Sequence, residues 1–169
     1  MSDAASAHPT GGCLCGALRY RLARVPDDVG HCHCSLCRRS TGAPFVTWAT
    51  VPRAEITLLA GSPAWFRSSP RSRRGFCPSC GTQICFAQDA EAPTDLPGTA
   101  TPADRPAEPL PADDVDVTVA SLDRPDLCVP TRNIWVGTRL GFLHGFDDRL
   151  PDYDDEGPAP DEVAPATGA

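Results

Sequence analysis

Seven of the nine cysteines fall into three tight groups: Cys13-Leu14-Cys15, Cys32-His33-Cys34-Ser35-Leu36-Cys37 and Cys77-Pro78-Ser79-Cys80-Gly81. Thiols this close in sequence reach a common point without help from the rest of the fold. Disulfides more often join distant segments, so C-x-C and C-x-x-C spacings favour metal over cross-links. Two pairs supply four thiolates, enough to close one tetrahedral zinc site, whereas the middle group supplies three and leaves a position open. The odd cysteine count and an N-terminus with neither a basic region nor an apolar run point the same way, to a reduced cytoplasmic chain.

Cys13, Cys15, Cys77 and Cys80 are grouped because their knuckles are alike. In each, glycine follows the last thiol (Gly16, Gly81), which lets the backbone turn and aim amide N–H groups at sulfur. This first site is expected to be structural, clipping the first strand to the middle of the sheet. The second, Cys32, Cys34 and Cys37, keeps a position for water, a substrate thiol or a residue from elsewhere, and zinc bound there would turn an incoming thiol into thiolate. Cys85 and Cys128 are each candidates for that fourth ligand, although buried apolar filling is the favoured role for both. His33, between two ligands, reads as a hydrogen-bonded structural imidazole, with a base as its other role.

The 169 residues suffice for one domain with a core, and 41% apolar content leaves room for metal to share the stabilisation. No run approaches a membrane span. Residues 1–86 carry ten Arg and four acids, and residues 87–169 carry five Arg and eighteen acids. The acidic whole argues against nucleic-acid binding, while the basic cysteine half suits an anionic ligand. Arg38 and Arg39, and the cluster Arg71, Arg73 and Arg74, are candidate carboxylate clamps, with charge compensation as the plainer role. Trp48 and Trp65 are read as core, with pocket lining as the other option.

Short strands dominate the pattern. Residues 17–22 alternate polar and apolar, and so do residues 115–119; 44–51, 56–59, 64–67, 83–86 and 133–136 also read as strands. Residues 29–34 bring the triplet in on extended backbone. Ser35 is expected to cap a short helix that ends near Gly42. Residues 1–10 read as a disordered tail, 11–153 as one domain, and 154–169 as an acidic tail. The Pro- and Ala-rich stretch 88–113 reads as a dispensable mobile insertion.

Taken together, Gly11-Gly12-Cys13-Leu14-Cys15-Gly16, Cys32-His33-Cys34-Ser35-x-Cys37-Arg38-Arg39, Gly42-Ala43-Pro44-Phe45 and Arg74-Gly75-Phe76-Cys77-Pro78-x-Cys80-Gly81-Thr82 resemble the glutathione-dependent formaldehyde-activating enzyme family, which also includes centromere protein V. The resemblance extends to Val117–Asp123 and Ile134-Trp135. It implies a mainly β fold, a β-tent of small antiparallel sheets with little helix, and two Zn²⁺ per chain. Cys13, Cys15, Cys77 and Cys80 would hold the structural ion, and Cys32, Cys34 and Cys37 the catalytic one. The implied activity is that of a carbon–sulfur lyase: a thiol such as glutathione adds to a small aldehyde such as formaldehyde, reversibly. The partners would then be a small-molecule thiol and an aldehyde. A non-catalytic zinc-stabilised binding module is the alternative, and a thiol redox or metal sensor a third reading.

Overall fold

A computed structural model describes residues 8–89, 110, 114–146 and 149–158. The protein is mainly β, with ten strands in two sheets and one α-helix among those residues. The smaller sheet pairs β1 (Thr10–Gly12), β2 (Arg19–Leu22) and β5 (Ile56–Ala60), all antiparallel. The larger runs, from one edge to the other, β10 (Arg132–Ile134), β3 (Val29–Cys32), β4 (Val46–Val51), β9 (Val115–Thr118), β8 (Gln83–Gln88), β7 (Ser72–Phe76) and β6 (Ala64–Ser69). One pair in it, β10 with β3, is parallel.

Alternation along the strands gives the larger sheet two unlike faces. Val29, Ala49, Val51, Cys85, Ala87, Val115 and Val117 are buried in the core with Tyr20 and Leu22 of the smaller sheet and Leu18 just before it. Burying each large apolar side chain contributes roughly 1.5–3 kcal/mol. Tyr20 keeps its hydroxyl satisfied inside by bonding Ser121 Oγ at 2.7 Å. The intervening residues Gly30, Cys32, Trp48, Thr50, Ser72, Arg74, Phe86, Gln88, Asp116, Arg132 and Ile134 point to the other face. A period of two therefore separates core from cavity.

Several local expectations are corrected. Helix α1 (Ser35–Thr41) is capped by Cys34, not Ser35: the Cys34 side chain accepts from Cys37 N, and Ser35 is already helical. It does end at Gly42, in the left-handed region at φ 68°. The strand expected over 133–136 stops at Ile134. Trp135 turns to φ 59° and a 3₁₀ turn, Val136–Thr138, follows. Val119 likewise leaves the expected strand for a 3₁₀ turn.

Much of the 88–113 stretch, namely 90–109 and 111–113, lies outside the described residues, as do 1–7 and 159–169. Its described members are built into the domain. Gln88 ends β8, Asp89 pairs with Arg67 at 2.8 Å and Arg73 at 3.0 Å, and Leu110 is buried in the core. The acidic end also docks: Trp135 N donates to Asp155 O, and Arg132 Nε to Glu156 O. No helix among the described residues is long and apolar enough to cross a membrane.

Candidate metal centres

The two knuckles are the tight turns between β1 and β2 and between β7 and β8. Each is closed by the same pair of bonds. Cys13 N donates to Leu18 O and Gly16 N to Cys13 O; Cys77 N donates to Thr82 O and Gly81 N to Cys77 O. The turns meet at the rim of the core, so the tetrad joins the smaller sheet to the larger one. It does not reach the middle of a sheet, as the sequence suggested, because β7 and β8 lie toward one edge.

The four Sγ atoms of Cys13, Cys15, Cys77 and Cys80 lie within 4.8 Å of one another. Cys13 and Cys15 Sγ are 3.5 Å apart, and Cys15 and Cys77 Sγ 3.8 Å apart. A tetrahedron with zinc–sulfur bonds of about 2.3 Å has edges of about 3.8 Å, so the donors fit zinc. Leu18 N donates to Cys13 Sγ at 3.2 Å, and Thr82 Oγ1 lies 3.2 Å from Cys80 Sγ. The Thr82 contact, with nearby amides, pulls Cys80 down to about 5. The Ala17 amide lowers Cys15 too, but the Cys13 and Cys80 thiols outweigh it and push Cys15 up to about 11.

Cys32, Cys34 and Cys37 likewise gather within 4.8 Å. Cys32 closes β3, Cys34 caps α1 and Cys37 lies one turn in, so a strand-to-helix junction delivers all three. Cys37 N donates to Cys34 Sγ at 3.2 Å. Contacts with the Cys32 and Cys37 thiols, helped by backbone amides, push Cys34 down to about 2, and Cys32 moves up in return. Arg74 reaches across from β7 and places both Nη atoms 3.6 Å from Cys37 Sγ.

What distinguishes the clusters is access. All three triad cysteines line a cavity of about 920 Å³ over the polar face of the larger sheet, and none of the tetrad does. Around the triad pack Trp48, Phe86 and Ile134, and Trp135 lines the same cavity. Arg53, Arg71 and Arg132, and Asp28, Asp114, Asp116 and Glu156, line the remainder. Burial, with the like charges of Asp28, Glu156 and Asp114, pushes Asp116 up to about 6 although Thr50 Oγ1 donates to it at 2.6 Å.

The other candidates sort by side chain. Arg71 and Arg74 line the cavity, whereas Arg38, Arg39 and Arg73 do not. Arg73 pairs with Asp89 and lies over the Trp65 ring. Trp48 is cavity wall and Trp65 core. His33 is buried away from the cavity, its Nε2 3.1 Å from Asn133 Oδ1, and burial lowers its pKa. Cys85 and Cys128 are buried in the core, outside both clusters, and burial pushes Cys85 up to about 12. Sequence reasoning missed Asp116, Arg53 and Trp135. The alternation Val115-Asp116-Val117 carried the signal for the first, since its acid falls on the face opposite the valines.

A family model described as glutathione-dependent formaldehyde-activating enzyme matches residues 8–138. Among solved structures, a Rhodobacter sphaeroides protein is similar at 18% identity and a TM-score of 0.47, over 85% of this chain and 98% of that one.

Proposed function

The chain belongs to the glutathione-dependent formaldehyde-activating enzyme family, and on that premise we propose that it joins a low-molecular-weight thiol, glutathione or a relative, to a small aldehyde such as formaldehyde, and catalyses the reverse cleavage. This is carbon–sulfur lyase chemistry. The observation that carries it is the opening of the Cys32–Cys34–Cys37 triad, and not of the tetrad, onto the large cavity.

Cys13, Cys15, Cys77 and Cys80 would hold one zinc and tie the sheets together. Cys32, Cys34 and Cys37 would hold a second. A zinc held by Cys32, Cys34 and Cys37 would supply the Lewis acidity that favours the thiolate form of an incoming thiol at neutral pH. The chain's residues do the rest. Trp48, Phe86 and Ile134 pack against the triad and give it an apolar surround. Arg53 and Arg71 offer positive charge to substrate carboxylates within the same space. In the forward direction the sulfur lone pair forms a bond to the carbonyl carbon, the carbonyl π pair moves to oxygen, and that oxygen takes a proton as the thiol loses one. The step is intrinsically easy, so holding the two reactants together accounts for most of the acceleration. The reducing chemistry of seven clustered thiols suits the cytoplasm as the working compartment.

Metal analysis should return two zincs per chain. In the cobalt-substituted protein, glutathione should change the spectrum of one site by adding a fourth sulfur. Two cobalt sites both blind to thiols would overturn this reading.

A further inference from the structure

Arg74 is 5% exposed, yet among the described residues no carboxylate pairs with it. A buried guanidinium without a counter-charge is costly, so its partners identify what it serves. They are Cys37 Sγ, which receives both Nη groups at 3.6 Å, and Ser40 Oγ, which accepts from Nη1 at 3.2 Å. The face of Phe86 supports the cation from 5.0 Å. Its neighbour on the same strand, Arg73, pairs instead with Asp89. With its sulfurs ionised by a bound zinc, the cluster itself would be the counter-charge of Arg74.

Three thiolates around a dication leave one net negative charge, which repels an incoming anion. A fixed guanidinium on one of those sulfurs cancels it. Arg74 also lines the cavity onto which the triad opens. We propose that Arg74 is the residue that makes the triad select an anionic sulfur as its fourth ligand over a neutral donor. It is a positioning residue, acting through Cys37 and through the field at the vacant position. The thiol's proton leaves to solvent on binding. The inference rests on zinc occupying the triad, as proposed above.

The test uses the full-length cobalt-substituted protein, titrated separately with 2-mercaptoethanol, which binds as an anion, and imidazole, which binds neutral. In the wild type both ligands should perturb the triad spectrum. In Arg74→Gln, mercaptoethanol should bind at least tenfold more weakly while imidazole affinity stays within about twofold. Arg74→Lys should recover most of the thiol affinity, because it restores charge without the forked contact. Equal loss for both ligands, or no change in either, overturns the inference while leaving the zinc reading intact. A wild-type triad that responds to neither ligand overturns the zinc reading, and the inference falls with it. Should Arg74→Gln fail to fold, as judged by loss of the tetrad's cobalt signal, Arg74→Lys decides: mercaptoethanol binding close to wild type supports the role of charge, and loss of that binding overturns it.

Discussion

Gly16 and Gly81 occupy equivalent places in two turns 65 residues apart, with φ of 77° and 75°, and each N–H returns to the carbonyl of the first cysteine of its own pair, Cys13 at 3.1 Å and Cys77 at 2.9 Å. A Cβ at either glycine would meet nothing within 4 Å. Any cost of substitution is therefore backbone strain alone. Gly81→Ala is expected to lose about 1–2 kcal/mol of stability, the price of the left-handed region for an L-residue. Urea unfolding at fixed zinc measures this, and an unchanged midpoint would contradict the assigned turn.

The two clusters should fail differently. The tetrad links two sheets, and a structural zinc contributes on the order of 10 kcal/mol to folding. Cys80→Ala is expected to be insoluble or largely unfolded. Cys34→Ala should stay folded by circular dichroism and contain one zinc fewer. A Cys34→Ala chain that collapses as Cys80→Ala does would erase the division between structural and open sites.

Asp116 predicts a pH signature. Its folded-state value, about 6, lies above the ordinary carboxyl range because of burial and the nearby acids Asp28, Glu156 and Asp114, although Thr50 Oγ1 donates to it. The folded state thus binds the proton more tightly than the unfolded chain. That contribution is full below the ordinary carboxyl range and is lost as pH rises through about 6. Asp116→Asn can still accept from Thr50 Oγ1. It should be more stable than the wild type at pH 8, by about 1–2 kcal/mol after allowing for solvent access through the cavity. The gap should narrow at pH 5. Parallel stability curves for the two proteins between pH 5 and 8 would refute this.

Cys85 is packed in the core, away from both sulfur clusters. Cys85→Ser places a hydroxyl among apolar neighbours and should cost about 1–3 kcal/mol. The zinc content should not change. A variant that loses one zinc would make Cys85 a ligand after all.

Trp135 sits at φ 59°, in a region that bulky side chains avoid, at a cost of about 1–3 kcal/mol. Trp135 is 41% exposed and lines the cavity, one residue beyond Ile134, the partner of Cys32. Asparagine tolerates this backbone state. Trp135→Asn should leave thermal stability unchanged or slightly raised while weakening thiol binding to the cobalt-substituted triad. Reduced stability with unchanged thiol affinity would mean that the indole serves packing and not the cavity.

The local thiol groups were legible in the chain itself, although the meeting of the Cys13–Cys15 pair with the Cys77–Cys80 pair is tertiary. Cys13 with Cys15, Cys77 with Cys80, and Cys32 with Cys34 and Cys37 lie two to five residues apart, so a single turn or strand-to-helix junction fixes their geometry with no reference to the rest of the fold. Gly16, Gly42 and Gly81 marked left-handed turns for the same local reason, and Val115-Asp116-Val117 announced a strand with two unlike faces. Tertiary structure alone decided which cluster opens onto space. It chose Arg74 over Arg38 and Arg39, paired β10 parallel to β3, buried Leu110, and set Trp135 on the cavity wall. Each of these depends on strand order and register across tens of residues. Such contacts are set by the packing of one sheet face against the core, which frees the opposite face to form a cavity, and no local spacing encodes that choice.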